Sequence, residues 1–91
     1  MKITKRLRIF GRVQGVFFRA SMCQKAVKSK VTGWVLNRLD GSVEAMLQGE
    51  QSAVESLIEW SYQNPLGAHV ERIDITEGSG EYDTFSALTT Q

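Results

Sequence analysis

One nine-residue segment, GRVQGVFFR, constrains the fold more than any other part of the sequence. It begins at Gly11 and ends at Arg19. Residues 3–10 before it largely alternate apolar and polar side chains and predict a strand, whereas residues 18–28 have helical periodicity. The first turn of a helix has N–H groups without intrahelical partners, and glycines let the backbone approach a ligand closely. A strand, a glycine-containing loop and a helix in this order therefore predict an anion site.

Arg19 is the residue that most strongly suggests a ligand. The predicted helix has an apolar stripe that consists of Phe18, Met22, Cys23, Ala26 and Val27. Arg19 falls on this stripe and at the positive end of the helix dipole, and both positions disfavour a cation. A bound anion would remove both costs. An arginine that reaches water or pairs with a carboxylate is the alternative, and the flanking glycines favour the anion.

The order of the remaining elements predicts the fold class. Hydrophobic patterns predict a second strand at 31–37 and a third at 42–48, followed by a second helix at about 52–63. A fourth strand is predicted at 68–77 and a short fifth strand at 82–88. The resulting order is β-α-β-β-α-β, the split-βαβ or ferredoxin-like plan of the α+β class. Two helices should cover one face of an antiparallel sheet, with the first strand central and the fifth at an edge.

Local signals predict where these elements end. The Asp40–Gly41 pair predicts the hairpin turn between the second and third strands. Gly49 is expected to end the third strand, and Ser52–Glu55 has the form of a capping box at the start of the second helix. The sequence Asn-Pro-Leu-Gly at 64–67 is expected to end that helix.

Composition excludes several classes of protein. The 91 residues predict a single domain, 1–91, with 42% hydrophobic and 23% charged residues, and no apolar run is long enough to span a bilayer. The lone Cys23 cannot form an internal disulfide, which favours a reducing compartment, and we expect a cytoplasmic protein. With one cysteine and one histidine, we expect no structural metal site and no cofactor.

The charges are divided between the two halves of the chain, although the net charge is only +1. Residues 1–38 hold ten of the eleven bases and no acid, and residues 39–91 hold all ten acids. The bases alternate with strand-forming residues, so cross-strand ion pairing is the preferred explanation, and attraction of anionic substrates is the other. The expected partners are Lys5, Arg6 and Arg8 on one side and Glu44, Glu71 and Asp74 on the other.

GRVQGVFFR, together with GWVLNRLDGSVE at 33–44, resembles the two signature segments of the acylphosphatase family. The resemblance covers about residues 4–88 and implies the ferredoxin-like fold. It also implies an enzyme that hydrolyses acyl phosphates to a carboxylate and inorganic phosphate. Two departures from the family pattern are expected to affect local stability. Lys30 stands where relatives commonly have the glycine that ends the first helix, and the C-terminus lacks the usual basic and aromatic residues.

The resemblance also implies which residues form the site. The family's catalytic arginine and asparagine correspond to Arg19 and Asn37. The backbone N–H groups of the loop, from Gln14 through Gly15, Val16 and Phe17 to Phe18, are implied to hold the phosphate. An arginine offers a planar fork of donors for phosphate oxygens, and an asparagine amide can orient a water as both donor and acceptor. Gln14 either touches the ligand or fixes the loop. Phe17 and Phe18 are expected to pack the loop onto the core, although one of them could line the acyl side.

Other residues are poorer candidates. Cys23 follows the arginine rather than preceding it, which is the wrong order for a cysteine phosphatase, and a core role is expected. His69 begins a strand with no serine or cysteine nearby in the sequence, so we expect a surface or edge histidine. Asp40 is explained as a turn former.

Two other functions are compatible with the same fold. The first is a non-catalytic acylphosphatase-like module that binds an acyl-phosphate or carbamoyl-phosphate group or a partner. The second is an RNA-binding domain, since RRM modules share this plan. RRM modules need aromatic residues on the first and third strands; the third strand here has none and the first offers only Phe10. We therefore expect a small-molecule acyl phosphate and inorganic phosphate as partners, no nucleic acid, no membrane, and a monomer.

Overall fold

The computed structural model describes residues 1–15, 17–63 and 67–91. The elements are β1 (Lys2–Arg12), α1 (Phe18–Lys28), β2 (Thr32–Asn37), β3 (Val43–Glu50), α2 (Gln51–Tyr62), β4 (His69–Glu77) and β5 (Phe85–Ala87). This is the predicted order, and the ferredoxin-like α+β fold is confirmed. The predicted end of α2 at 64–67 lies mostly outside the described residues, which resume at Gly67.

The sheet has the strand order β4-β1-β3-β2-β5. β1 is an interior strand that is flanked by β3 and β4, as predicted, and it pairs antiparallel with both. β2 pairs antiparallel with β3, and the short β5 joins the free edge of β2 in parallel. The connection from β1 through α1 to β2 therefore brings the end of β1 and the end of β2 to neighbouring positions on one side of the sheet.

The hydrophobic core lies between the two helices and one face of the sheet. The stripe of α1 contributes Phe18, Met22 and Ala26, and α2 contributes Val54 and Leu57. These side chains pack against the alternating apolar residues of the strands, among them Leu7, Ile9, Val35, Val43, Ala45, Leu47 and Ile73. Val27 is an error in the predicted stripe, because its side chain is 62% exposed in the last turn of α1.

The opposite face of the sheet carries the charge division seen in the sequence. Glu44 is buried there and accepts hydrogen bonds from Arg6 (Nε–Oε2, 2.6 Å), and Arg38 lies 3.2 Å from its other oxygen. Lys5 pairs with Glu77 across β1 and β4. Cross-strand ion pairs of the expected kind are thus present, although among the residues that the structure describes only the Arg6–Glu44 pair joins two of the expected partners.

Arg8 differs from the prediction, because its side chain bonds to the β2–β3 turn instead of to β4. Its Nη2 lies 2.8 Å from Asp40 Oδ2, while Asp74, its register partner in β4, pairs instead with Arg72. The turn that carries Asp40 is the predicted hairpin: Gly41 N–H donates to the Arg38 carbonyl, and Arg38 N–H donates to the Ser42 carbonyl.

The start of α2 corrects two predictions. β3 does not end at Gly49 but continues through Glu50, whose backbone pairs in register with Lys2 of β1. The helix begins at the next residue, with Glu50 at the N-cap position and no side-chain capping bond. Ser52 therefore lies inside the helix, and no capping box forms. The pairing of β1 with β3 decides this boundary, rather than the local capping signal.

Gly11 also has a different role from the expected one. It lies within β1, where the pairing with β4 shifts register between Phe10 and Gly11. At its φ of 130°, a Cβ would lie 2.1 Å from the His69 carbonyl oxygen. The glycine is therefore required for the close approach of β1 and β4, and the loop begins after Arg12.

After β5, the chain continues along β2 towards the β2–β3 hairpin. Leu88 N–H donates to the Val35 carbonyl at 2.8 Å, and Gln91 N–H donates to the Asn37 carbonyl at 2.9 Å. We call residues 88–91 the C-terminal tail. Through these bonds, the tail lies along β2 as far as Asn37.

Neither helix in the described part of the chain has the length and hydropathy that a membrane span requires.

Candidate active site

The loop after β1, the first turn of α1 and the end of β2 together form a cavity of about 280 Å³. The residues that line it include both residues of the implied catalytic pair and most of the implied loop. They are Val13, Gln14, Gly15, Phe17, Phe18, Arg19, Ala20 and Asn37. Val16 lies outside the described residues. We call this space the active-site cavity. A larger open groove of about 580 Å³ runs along α1 beside Trp60 and contains none of these residues.

Arg19 is half-buried in the first turn of α1 and is held by the C-terminal tail. Its Nη1 donates to the carbonyl oxygen of Leu88 at 2.6 Å. On the other side of Arg19, the tail forms a second open cleft of about 490 Å³. A carbonyl is a neutral acceptor, so this bond orients the guanidinium without neutralising its charge. The guanidinium has five N–H donors, and the described contact uses one nitrogen only.

Asn37 is the last residue of β2, and its position is fixed by the backbone on both sides. Its Cα is in register with Val43 of β3, and its carbonyl accepts the N–H of Gln91 in the tail. Its half-buried side chain contributes to the same cavity as Arg19. The strand end thus presents an amide opposite the start of α1, as the fold plan predicts.

The described residues of the loop between β1 and α1 include two with a left-handed backbone conformation. Gly15 has a φ of 77°, and a Cβ there would meet nothing within 4 Å. Phe17, at the N-cap of α1, is also left-handed (φ 60°, ψ 22°), and its carbonyl accepts the N–H of Ser21. The first turn of α1 contains no acidic residue and no side-chain capping bond. The positive end of the helix therefore faces the cavity without a protein anion in that turn.

Gln14 connects this loop to the β2–β3 hairpin. Its Nε2 donates to the carbonyl oxygens of Arg38 at 2.8 Å and Ser42 at 2.9 Å. Its side chain therefore fixes the loop, which is one of the two roles that the sequence left open, and Gln14 also lines the cavity. Because Arg38 directly follows Asn37, these bonds also set the separation between the loop and Asn37.

Asp40 is engaged in the hairpin, as its sequence context predicts. Its Oδ1 accepts the N–H of Ser42 at 2.9 Å and the hydroxyl of Ser42 at 2.6 Å, and its Oδ2 accepts from Arg8. The bonds from Ser42 and the neighbouring Arg8 guanidinium lower the pKa of Asp40 to about 2. Within residues 1–15, 17–63 and 67–91, no group of three His, Cys, Asp or Glu side chains could hold a metal ion.

The weaker candidates lie outside the cavity. Cys23 is half-buried and packs against the core, with its Sγ 3.8 Å from the Phe85 carbonyl oxygen. His69 is exposed at the start of β4. The contact that sequence reasoning missed is the one between Arg19 and Leu88. The two residues are 69 positions apart in the sequence. Because the acceptor is a backbone carbonyl, which every residue has, the amino-acid pattern cannot identify it.

Comparisons with known proteins agree with the fold. The family model described as Acylphosphatase matches residues 5–87. An acylphosphatase of Thiobacillus denitrificans is 54% identical over 82 residues, which cover 90% of this chain and 92% of that protein. The structure of an acylphosphatase from Coxiella burnetii has a TM-score of 0.90 at 34% identity, covering 96% of this chain and 93% of that one.

A similar domain also occurs inside a longer protein. The crystal structure of full-length HypF in the phosphate- and nucleotide-bound form has a TM-score of 0.90 at 28% identity. The match covers 99% of this chain but 12% of that one. The family model nevertheless spans most of the sequence, and the similarity to stand-alone acylphosphatases is higher. The chain belongs to the acylphosphatase family.

Proposed function

We propose that this acylphosphatase binds the phosphate group of its substrate with Arg19 and the loop N–H groups and positions the attacking water with Asn37. The loop donors are those of Gln14, Gly15, Phe17 and Phe18, together with Val16, which lies outside the described residues. The observation that supports this most directly is the shared cavity of about 280 Å³, which Arg19, Asn37 and the loop line together. As an acylphosphatase, the protein hydrolyses the mixed anhydride of a carboxylic acid and phosphoric acid.

Arg19 has the chemistry and the location that a phosphate ligand requires. Its guanidinium can donate two parallel bonds to phosphate oxygens, and each charge-assisted bond contributes about 1.5–3 kcal/mol. The Leu88 carbonyl holds one nitrogen, which reduces the number of orientations that the side chain must lose on binding. The N-terminus of α1 adds its unpaired N–H groups and its dipole.

Asn37 is proposed to orient water rather than to remove its proton. An amide does not act as a base at pH 7, but its oxygen can accept from a water and its nitrogen can donate to one. The water oxygen attacks phosphorus, the bond from phosphorus to the acyl oxygen breaks, and the carboxylate leaves. The proton of the water passes to a phosphate oxygen of the substrate. A carboxylate is a good leaving group, so in-line positioning and charge stabilisation suffice.

We propose that this reaction needs no metal and no cofactor. The second signature segment contains two acidic residues, Asp40 and Glu44. The Asp40 carboxylate already accepts from Ser42 and Arg8, and that of Glu44 is paired with Arg6 and Arg38. The positive charge opposite the phosphate would come from Arg19 and the helix. Full activity in the presence of a chelator is the expected result, and strict dependence on added magnesium would contradict it.

The test of the proposed function is continuous ultraviolet monitoring of benzoyl phosphate hydrolysis by the wild-type chain. A rate above the uncatalysed background, inhibited competitively by inorganic phosphate, is expected. Arg19→Lys should lose both hydrolysis and phosphate inhibition, because an ammonium cannot make the planar double contact. No rate above background in the wild type would favour the non-catalytic module, for which the match to a segment of HypF is the supporting observation.

The RNA-binding alternative has less support. Phe10 is the one aromatic residue of β1, and the guanidinium carbon of Arg72 lies over its ring, 4.2 Å from the centroid. That ring face is already occupied by a cation, so a base would have to displace it. A salt-dependent shift of single-stranded RNA in a gel would support this alternative. The single domain of residues 1–91, the monomeric state and the cytoplasmic location remain predictions.

A further inference from the structure

Packing does not explain the position of Phe17 in the active-site cavity. Its side chain is 80% exposed, whereas that of the next residue, Phe18, is 1% exposed. The ring of Phe18 packs on that of Trp60, with 5.4 Å between centroids. Two consecutive aromatic residues that both line the cavity thus have opposite surroundings: Phe18 is buried in the core, and Phe17 is open to solvent.

The backbone of Phe17 is unfavourable as well. Phe17 and Lys30 are the two described residues other than glycine with a positive φ. A left-handed conformation brings Cβ close to the backbone, and a phenylalanine gains nothing from it that a glycine would not gain. An exposed ring also forgoes the free energy of burial. Both costs in one residue at a candidate site are expected where the side chain contacts a ligand.

The cavity has room for more than a phosphate group. Its volume of about 280 Å³ is close to the lower end of cavities that hold small organic ligands. Arg19 and the start of α1 provide the anion-binding part of this cavity. The acyl group is joined to the phosphate through one oxygen, so it must lie next to this part. Phe17 is the cavity-lining aromatic residue that is open to solvent.

We propose that Phe17 is a specificity-determining residue whose ring packs against the acyl group and favours aromatic acyl phosphates over small aliphatic ones. This inference rests on the proposed function of the same cavity. An offset or edge-to-face contact between two rings adds to simple burial and corresponds to a roughly three- to tenfold preference. A methyl group in the place of the acyl ring would gain little from the same surface.

The test compares the kcat/KM of benzoyl phosphate with that of acetyl phosphate in the wild type and in two variants. Phe17→Leu removes the ring but keeps an apolar side chain that branches at Cγ, so the backbone preferences stay similar. Phe17→Tyr keeps the ring. The ratio of the two values should fall roughly three- to tenfold in Phe17→Leu and should be restored in Phe17→Tyr. Because the Phe17 N–H is also one of the proposed phosphate donors, a change in phosphate binding would lower the values for both substrates equally and leave their ratio unchanged.

Tyr62→Leu is the matched control, because Tyr62 is 48% exposed at the end of α2 and is absent from the cavity lining. This variant should keep the wild-type ratio. An unchanged ratio in Phe17→Leu, or an equal loss with both substrates, would overturn the role of Phe17 and leave the proposed function standing. A wild-type chain that hydrolyses neither substrate would instead overturn the proposed function, and the specificity role would fall with it.

Discussion

The guanidinium of Arg19 and the backbone carbonyl of Leu88 are joined by a hydrogen bond of 2.6 Å, and this bond connects the start of the first helix to the C-terminal tail. Leu88 is itself held on β2 by the bond from its N–H to the Val35 carbonyl. The orientation of Arg19 therefore depends on the edge of the sheet as well as on α1.

The first prediction concerns a chain that ends at Ala87. Without the Leu88 carbonyl, the guanidinium regains its freedom, and the inhibition constant of inorganic phosphate should rise roughly tenfold or more. Phosphate titration of the hydrolysis rate measures this. A chain that ends at Thr90 is the control, since it loses the bonds of Gln91 but keeps Leu88. Wild-type phosphate affinity in the chain ending at Ala87 would disprove the orienting role.

The second prediction separates the two members of the proposed catalytic pair. Asn37→Ala should lower kcat by roughly two to three orders of magnitude, because the water loses its fixed position. Phosphate binding should stay nearly intact, because Arg19 and the loop supply it. Steady-state kinetics with phosphate as competitive inhibitor give both quantities. An equal loss of turnover and of phosphate affinity would contradict a role in orienting water.

The third prediction concerns Gln14 as a positioning residue. Gln14→Ala removes the two hydrogen bonds from the side-chain amide to the hairpin carbonyls. The free energy of unfolding should therefore fall by about 1–3 kcal/mol. The kcat/KM should fall as well, because the loop and Asn37 are no longer held at a fixed separation.

Gln14→Glu gives this role a pH-dependent test. A carboxylate has no proton to donate and would face the Arg38 and Ser42 carbonyls, so this variant should be less active than Gln14→Ala at pH 7. Its activity relative to wild type should recover as pH falls and the carboxyl group is protonated. The same relative activity at every pH would mean that the two bonds do not position the loop.

The sequence was sufficient to predict the elements whose pattern is local. The bounds of α1 are those given by its apolar period, and the hairpin follows from Asp40 and Gly41. The sequence predictions were wrong where pairing with a strand that is distant in the sequence determines the local structure. Gly49 remains in β3 because β1 continues to pair with it, and Gly11 is required by the approach of the His69 backbone.

Within the cavity, the same distinction applies. The signature segments identify Arg19, Asn37 and the loop as candidates, and the fold brings the described ones to one cavity. The carbonyl that orients Arg19 belongs to a residue whose side chain is irrelevant to the contact. The opposite surroundings of Phe17 and Phe18 likewise depend on one left-handed backbone angle, which a phenylalanine does not signal.

The fourth prediction concerns Lys30, which occupies the glycine position at the end of α1 and has a φ of 59°. Lys30→Gly should stabilise the protein by about 1 kcal/mol, because glycine adopts this conformation without a steric cost. The melting temperature should rise by about 4–8 °C for a domain of this size. Lys28→Gly is the control: it lies within the helix and should destabilise by about 0.5–1 kcal/mol. A lower melting temperature for Lys30→Gly would mean that the lysine makes a favourable contact that outweighs the strain.

The fifth prediction uses the pKa of Asp40, which the bonds from Ser42 and the charge of Arg8 lower from 3.8 to about 2. A carboxyl group with a lower pKa in the folded state stabilises the protein above pH 4, and this contribution is lost as pH falls from about 4 towards 2. Asp40→Asn does not titrate, so its urea midpoint should fall less steeply than that of the wild type over this interval. Between pH 5 and 7, the two midpoints should differ by a constant amount, since the wild-type carboxyl group stays ionised there. Parallel curves from pH 5 to pH 2 would show that the Asp40 carboxylate is not held by the hairpin in solution.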